Sequence, residues 1–109
     1  MMRLYLERKK SNVKAVAEYD EKTGTFTVLK GSIVSDSISY AKKFRGTKSI
    51  EANRAGTVSN GEVIKDVFFK SSSTAANYVT GSSTNGLIAW KDDKGVPLKA
   101  LLSKGEADE

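Results

Sequence analysis

The first thirty residues alternate between apolar and polar side chains, with the two-residue period of a β-strand that buries one face. Residues 3–8, 13–19 and 25–30 each follow this pattern. They are separated by a basic turn at residues 8–12 and by a connection, residues 20–24, that ends in glycine and suits a hairpin. The pattern predicts a three-stranded antiparallel meander. Its inward-facing residues would be Leu4, Leu6, Val13, Ala15, Ala17, Tyr19, Phe26 and Val28.

The pattern is weaker between residues 33 and 61. Apolar side chains recur at helical spacing at Ile38, Ala41 and Phe44, which predicts one short helical piece. A second piece is predicted over residues 50–55, where Gly56 would end it. The Asn-Gly pair at residues 60–61 predicts a turn, followed by short strand pieces at residues 63–65 and 67–69.

Residues 67–91 form the most organised stretch. They are predicted to form a strand at 67–70, a helix at 72–80, a polar loop at 81–86 and a strand at 87–91. Ser71 would cap the helix through its hydroxyl, and Gly81 would end it in a left-handed conformation. A stripe of small residues would let the helix lie close on a sheet; it consists of Ala75, Ala76 and Val79.

In the last part of the chain, the sequence predicts a tight reversal at residues 92–95. A helix is predicted to follow, because Leu98, Leu101 and Leu102 recur at helical spacing. We expect residues 1–104 to form a single α+β domain, followed by a disordered acidic tail at residues 105–109. Its architecture would be the N-terminal three-stranded antiparallel meander, extended by further short strands, with two or three short helices packed on the sheet.

Composition excludes several kinds of chemistry. The 109 residues include no cysteine and no histidine, which removes disulfides, thiolate nucleophiles and the usual zinc and haem ligands. We therefore expect no metal and no cofactor. No apolar run approaches the ~18 residues of a membrane span, and residues 1–10 lack the apolar core of a signal peptide. These features predict a cytoplasmic protein that does not contact membranes.

Positive charge is concentrated in the first half of the chain. The net charge of +5 divides into +6 for residues 1–54 and −1 for residues 55–109. The densest basic segment has a net charge of +4 over thirteen positions and contains Lys42, Lys43, Arg45, Lys48, Glu51 and Arg54. Such a segment can attract polyphosphate, although most charged runs are simply solvated surface.

No motif predicts catalysis. The segment from Gly81 to Gly86 has the outer spacing of a phosphate loop, but the residues that follow are apolar, and the order is helix, loop, strand. The neighbouring carboxylates Asp92 and Asp93 lie in a turn, where such groups are usually solvated, whereas a general acid needs a cleft that excludes water. We therefore predict that the protein is not an enzyme.

Asn85, Gly86 and Trp90 have two interpretations. In the structural one, Asn85 and Gly86 shape the loop and Trp90 fills the core. In the functional one, Asn85 presents its amide to a phosphate or a base edge between Lys70 and Lys91. The structural interpretation is favoured by the general behaviour of polar loop residues, which more often satisfy backbone groups than ligands.

Three segments in order resemble a known family. Val28-Leu29-Lys30-Gly31-Ser32, then residues 69–76 (Phe-Lys-Ser-Ser-Ser-Thr-Ala-Ala), then Asn85-Gly86 with Trp90-Lys91, look like the signature of a prokaryotic domain of unknown function. That domain is often found C-terminal to GIY-YIG-type nucleases and is similar to the RAMA (restriction-enzyme adenine-methylase-associated) domain. The resemblance covers about residues 3–102. Ser72 stands where the family commonly has proline, and Ser82 stands where it commonly has arginine.

The resemblance implies a non-catalytic accessory module that binds nucleic acid, in the first place DNA, with modified DNA among its forms. The residues expected to contact nucleic acid are Lys30, Arg54, Lys70, Ser73, Asn85 and Lys91, helped by the N-terminus of the helix at residues 72–80. The alternative is a protein-interaction or scaffold domain that docks a partner enzyme through the exposed edge of the meander and the tail. The sequence leaves open whether the ligand is DNA, RNA or a protein.

Overall fold

A computed structural model of the chain describes residues 1–39 and 46–107. The predicted meander is confirmed: β1 (Met2–Arg8), β2 (Val13–Asp20) and β3 (Thr25–Val28) pair antiparallel in sequence order. All eight predicted inward residues are buried. Strand β3 ends at Val28, two residues earlier than predicted, where the chain turns through Gly31 at a φ of 95°. The two-residue period therefore gives the first layer of the fold directly.

A fourth strand extends the meander. β6 (Val67–Phe69) pairs antiparallel with β3, so the sheet has the order β1-β2-β3-β6. Between β3 and β6 in sequence lies a small hairpin of β4 (Val58–Ser59) and β5 (Glu62–Val63). Its turn is the predicted Asn-Gly pair, in which both Asn60 and Gly61 have positive φ, as a tight hairpin requires.

Helix α2 (Ser72–Thr80) packs against the inner face of the sheet. Its small residues Ala75 and Ala76 are fully buried, as the predicted close approach requires. A ring cluster fills the space beside it: the centroid of Phe26 lies 5.0 Å from that of Tyr19 and 5.5 Å from that of Trp90. The α+β fold class is thereby confirmed, with one sheet face covered by helix and loop.

The predicted strand at residues 87–91 is wrong. The structure has a short helix there, α3 (Gly86–Ala89), and Asn85 caps it by accepting a hydrogen bond from the Leu87 amide at 3.0 Å. Leu87 and Ile88 are both exposed, by 37% and 48%, so the apolar run is not a buried strand. Trp90 is 0% exposed, in agreement with the structural interpretation of that residue.

Two further helices complete the described chain. α1 (Thr47–Arg54) corresponds to the second predicted helical piece and buries Ile50. The first predicted piece lies mostly outside the described residues, as do Lys42, Lys43 and Arg45 of the basic segment. α4 (Leu98–Ala107) begins at the buried Leu98 and overlaps the predicted tail. In the described part of the chain, no helix is long and apolar enough to cross a membrane.

Candidate nucleic-acid interface

The capping predicted for α2 is confirmed. The hydroxyl of Ser71 accepts a hydrogen bond from the Thr74 amide at 3.2 Å, and Gly81 adopts a φ of 75° at the other end of the helix. The loop that follows is tied back to the helix, because the Thr84 amide donates to Oδ1 of Asn77 at 2.8 Å. Residues 81–85 are therefore held against α2 and bring Asn85 to a fixed position.

The first turn of α2 is covered by the start of α3. The Ser73 hydroxyl accepts a hydrogen bond from the Gly86 amide at 3.1 Å, and the Trp90 indole donates to the Ser72 carbonyl at 3.0 Å. A Cβ atom at Gly86 would overlap the Ser72 carbonyl and the Ser73 amide. The helix N-terminus that the sequence suggested as a phosphate site is thus in contact with protein, and Ser73 positions α3.

Lys91 extends the sheet beyond β1. Its amide donates to the Tyr5 carbonyl at 2.9 Å, and its carbonyl accepts from the Tyr5 amide at 2.7 Å. Because Lys91 lies opposite Tyr5 in an antiparallel bridge, the two side chains project from the same face of the sheet. The chain then reverses at Asp92, whose Oδ1 accepts hydrogen bonds from the Lys94 and Val96 amides, each at 2.9 Å.

A groove opens between the end of β1 and the segment from residue 83 to residue 91. We call it the β1 groove; its volume is about 410 Å³, and its lining residues are Leu6, Glu7, Arg8, Ser83, Thr84, Asn85, Ile88, Ala89 and Lys91. A second cavity of about 440 Å³ adjoins it and shares Glu7, Ala89 and Lys91. The second cavity is also lined by Asp92 and Asp93, so the basic end of this surface is the β1 groove.

The β1 groove has free positive charge beside it. Arg8, Lys9 and Lys10 form the exposed turn between β1 and β2, and Lys91 is exposed at the other side. Within residues 1–39 and 46–103, the one ion pair is Arg3 with Glu18, at 3.5 Å on the sheet face. Glu7 also lines the groove, but among these residues no carboxylate lies within 4.0 Å of the charged groups of Arg8 or Lys91. A polyanion can approach them without displacing a protein partner.

Asn85 keeps hydrogen-bonding capacity toward the groove. Its side-chain Oδ1 accepts a hydrogen bond from the Leu87 backbone amide, so the side-chain Nδ2 lies on the opposite side of the Asn85 carboxamide. An Asn side-chain nitrogen carries two donors, and phosphate oxygens are acceptors. The groove can therefore offer two cationic side chains, an amide donor and the hydroxyls of Ser83 and Thr84 to an anionic ligand.

Of the six predicted contact residues, the structure brings Asn85 and Lys91 together in the β1 groove. Lys70 follows β6, which is separated from the Lys91 bridge by β3, β2 and β1. Four strand spacings are on the order of 19 Å. Lys30 also lies on that far side, where its amide donates to Oδ1 of Asp66 at 2.8 Å. Lys30 and Lys70 therefore do not flank Asn85.

Arg54 has a role within the fold. Its guanidinium donates to the Tyr78 carbonyl at 3.0 Å, the Ser35 carbonyl at 3.2 Å and the Ser35 hydroxyl at 3.0 Å. Burial lowers the pKa of Arg54 from its ordinary value, and the nearby Tyr78 opposes that shift. Because these donors are engaged by protein oxygens, Arg54 is not available for the phosphate contact that the sequence suggested.

Arg8 is the basic groove residue that the contact prediction left out. The sequence showed the basic turn at residues 8–12 but gave no sign that it would lie beside residues 83–85. That proximity depends on the backbone pairing of Lys91 with Tyr5, which joins distant parts of the chain. A lone residue pair of this kind leaves no periodic pattern.

The fold and the groove define a small α+β domain with an open basic surface at one edge of its sheet. The chain belongs to the family described as Domain of unknown function (DUF4357), whose profile matches residues 4–102. The resemblance to a domain of unknown function is thus confirmed, over nearly the same residues as expected from the sequence. No curated protein and no solved structure matches the chain.

Proposed function

We propose that this domain is a non-catalytic module that binds nucleic acid through the β1 groove, as an accessory part of restriction or modification systems. The observation that carries the proposal is the convergence of Arg8, Asn85 and Lys91 on one groove beside the exposed basic turn. Arginine and lysine supply the charge that phosphates require, and the asparagine amide supplies directed donors. The likeness to the RAMA domain and to domains found with GIY-YIG-type nucleases supports this role by association.

The mode of binding follows from the size of the groove. A volume of about 410 Å³ is too small to enclose a duplex, so the groove would hold one stretch of backbone at its mouth. Arg8 and the neighbouring lysines would contact phosphates, and Asn85 would donate to a phosphate or to an acceptor on a base. Binding of this kind depends strongly on salt, because each phosphate contact releases counterions.

A salt series tests the proposal. The affinity for duplex and single-stranded DNA is measured by fluorescence anisotropy between about 50 and 200 mM salt, for the wild type and for the double variant Arg8→Gln, Lys91→Gln. We expect the double variant to bind more weakly and to lose about two contacts, which lowers the slope of log affinity against log salt by ~1.4–1.8.

The matched control is Lys30→Gln with Lys65→Gln. It removes the same charge from exposed positions on the far side of the sheet, where Lys30 precedes the turn and Lys65 precedes β6. It should keep most of the wild-type slope. Equal losses in the two double variants would indicate diffuse attraction, and no binding of the wild type to any DNA form at low salt would contradict the proposal.

A second function, docking of a protein partner, is favoured by one observation. Lys91 covers the β1 edge at Tyr5, and since residues two apart in a strand face the same edge, the backbone of Glu7 is directed toward the β1 groove. An extended peptide could add there as a strand. A partner that is retained in pull-downs after nuclease treatment and at high salt would favour this function over nucleic-acid binding.

A further inference from the structure

The opposite edge of the sheet carries an exposed aromatic residue. β6 is the last strand on that side, and its central residue Phe68 is 61% exposed, whereas the next residue, Phe69, is 4% exposed. Alternation therefore places Phe69 in the core and Phe68 on the face directed away from α2. Phe68 is the one aromatic side chain among the large exposed hydrophobic residues of the described chain. An edge strand with such a residue is a template for a further strand.

The residues around Phe68 are arranged for pairing with themselves. The order is Asp66-Val67-Phe68-Phe69-Lys70, with opposite charges two positions to either side of Phe68. If a second copy pairs antiparallel with Phe68 on the twofold axis, Asp66 lies opposite the partner's Lys70, and Lys70 lies opposite the partner's Asp66. Opposite charges directly across an antiparallel pair attract, and like charges repel. In a parallel pairing, or in an antiparallel register shifted by one residue, neither opposite-charge pair forms.

The two charged residues are available for such contacts. Lys70 is exposed and, within the described chain, makes no ion pair. Asp66 is exposed, and the Lys30 amide donates to its Oδ1 at 2.8 Å, which holds the carboxylate beside the sheet and leaves its second oxygen for a cation. Residues 66, 68 and 70 have the same parity, so an extended strand presents them on one face together with Phe68.

We propose that the β6 edge, defined as residues 66–70, is a self-association surface whose occupant is a second copy of this chain. The two four-stranded sheets would join into one sheet of eight strands around a twofold axis. The short length of β6 and the adjacent Lys70 protect the edge against unrelated strands, and the paired charges select the identical strand of a second copy. The β1 groove lies at the opposite edge, so this inference is independent of the proposed function.

Charge exchange tests the proposal. The association of the wild type and of the variants Asp66→Lys and Lys70→Asp is measured by sedimentation equilibrium over a concentration series. Each single variant places like charges opposite each other twice, so we expect at least a tenfold higher dissociation constant. An equimolar mixture of the two variants restores both opposite-charge pairs, and we expect it to form a heterodimer with nearly wild-type affinity.

A wild type that remains monomeric over the series, or single variants that associate as the wild type does, would overturn the proposal. A mixture that fails to associate would overturn it too, provided that two-dimensional NMR spectra show both variants folded. Should Asp66→Lys fail to fold, a second measurement decides. The chain has no cysteine, so Phe68→Cys introduces a single thiol on the predicted axis.

Across an antiparallel pair, opposite Cα atoms are about 4.5–5.5 Å apart, within the range of a disulfide. We expect Phe68→Cys to form a covalent dimer on mild oxidation, and the exposed control Ile64→Cys to form one at least tenfold more slowly. Equal rates for the two variants would count against the proposed axis.

Discussion

At the scale of single residues, Arg54 is a basic side chain that holds parts of the fold together through hydrogen bonds. Residues Tyr78 and Val79 lie in the last turn of α2, where carbonyl groups have no partner within the helix. Arg54 donates to the Tyr78 carbonyl at 3.0 Å and to the Val79 carbonyl at 3.5 Å, and its positive charge is favourable at a helix C-terminus. The same side chain reaches Ser35, so it joins α1, α2 and the segment that follows β3.

We therefore expect Arg54→Met to destabilise the domain. The substitution keeps much of the packing volume but leaves half-buried carbonyl groups without donors, at a cost of about 1–3 kcal/mol in the free energy of unfolding. Urea denaturation measures it. The control Lys48→Met lies on the same helix and is exposed, so it should stay within about 0.5 kcal/mol of the wild type. Equal stability of the two variants would show that the Arg54 contacts contribute nothing.

At the scale of elements, the junction of α2 and α3 positions Asn85. The backbone of Gly86 lies against Ser72 and Ser73 in the first turn of α2, at a distance that leaves no room for a side chain. The Ser73 hydroxyl and the Trp90 indole add hydrogen bonds across the same junction. The glycine that appeared to be a loop residue is thus a packing residue, and α3 and the groove side chain Asn85 depend on it.

We expect Gly86→Ala to cost about 3 kcal/mol or more in the free energy of unfolding, because the added methyl group would overlap the backbone of Ser72 and Ser73 and must move one helix away from the other. The control is Gly24→Ala. Gly24 has a φ of 76° and no atom within 4 Å of an added Cβ. This substitution therefore destabilises the domain only through backbone strain, by about 1 kcal/mol. Thermal denaturation compares the two. A Gly86→Ala variant as stable as the control would contradict the close approach.

The sequence predicted those elements whose signal is local. The meander follows from its alternation, the α2 caps follow from Ser71 and Gly81, and the hairpin turn follows from Asn60-Gly61. The α3 helix was misread, because an apolar run of four residues looks the same in a short helix and in a buried strand. The capping role of Asn85 was the available signal for a helix, since its side chain can bond to an amide two residues ahead.

At the scale of the whole molecule, the predicted contact residues divide between two edges of one sheet. Asn85 and Lys91 join Arg8 at the β1 groove, and Lys70 lies beyond β6 at the other edge. Lys70 and Lys91 flank Asn85 in sequence and were therefore expected to flank it in space. Their positions are instead set by the strand order of the sheet. That order depends on the pairing of β6 with β3 and of Lys91 with Tyr5. Neither contact is local in sequence. The two proposed binding surfaces consequently lie at opposite edges of the sheet.

We propose that nucleic acid binds at the β1 groove, and an NMR titration of the domain with DNA locates the binding site. The ¹⁵N-labelled domain is titrated with a short DNA duplex and with a single strand at low salt, and amide shifts are mapped on the fold. We predict the largest changes at residues 7–10, 83–85 and 91, with small changes around Lys30 and Lys70. Shifts centred on the β6 edge, scattered over all basic residues, or absent at saturating DNA would contradict the claim.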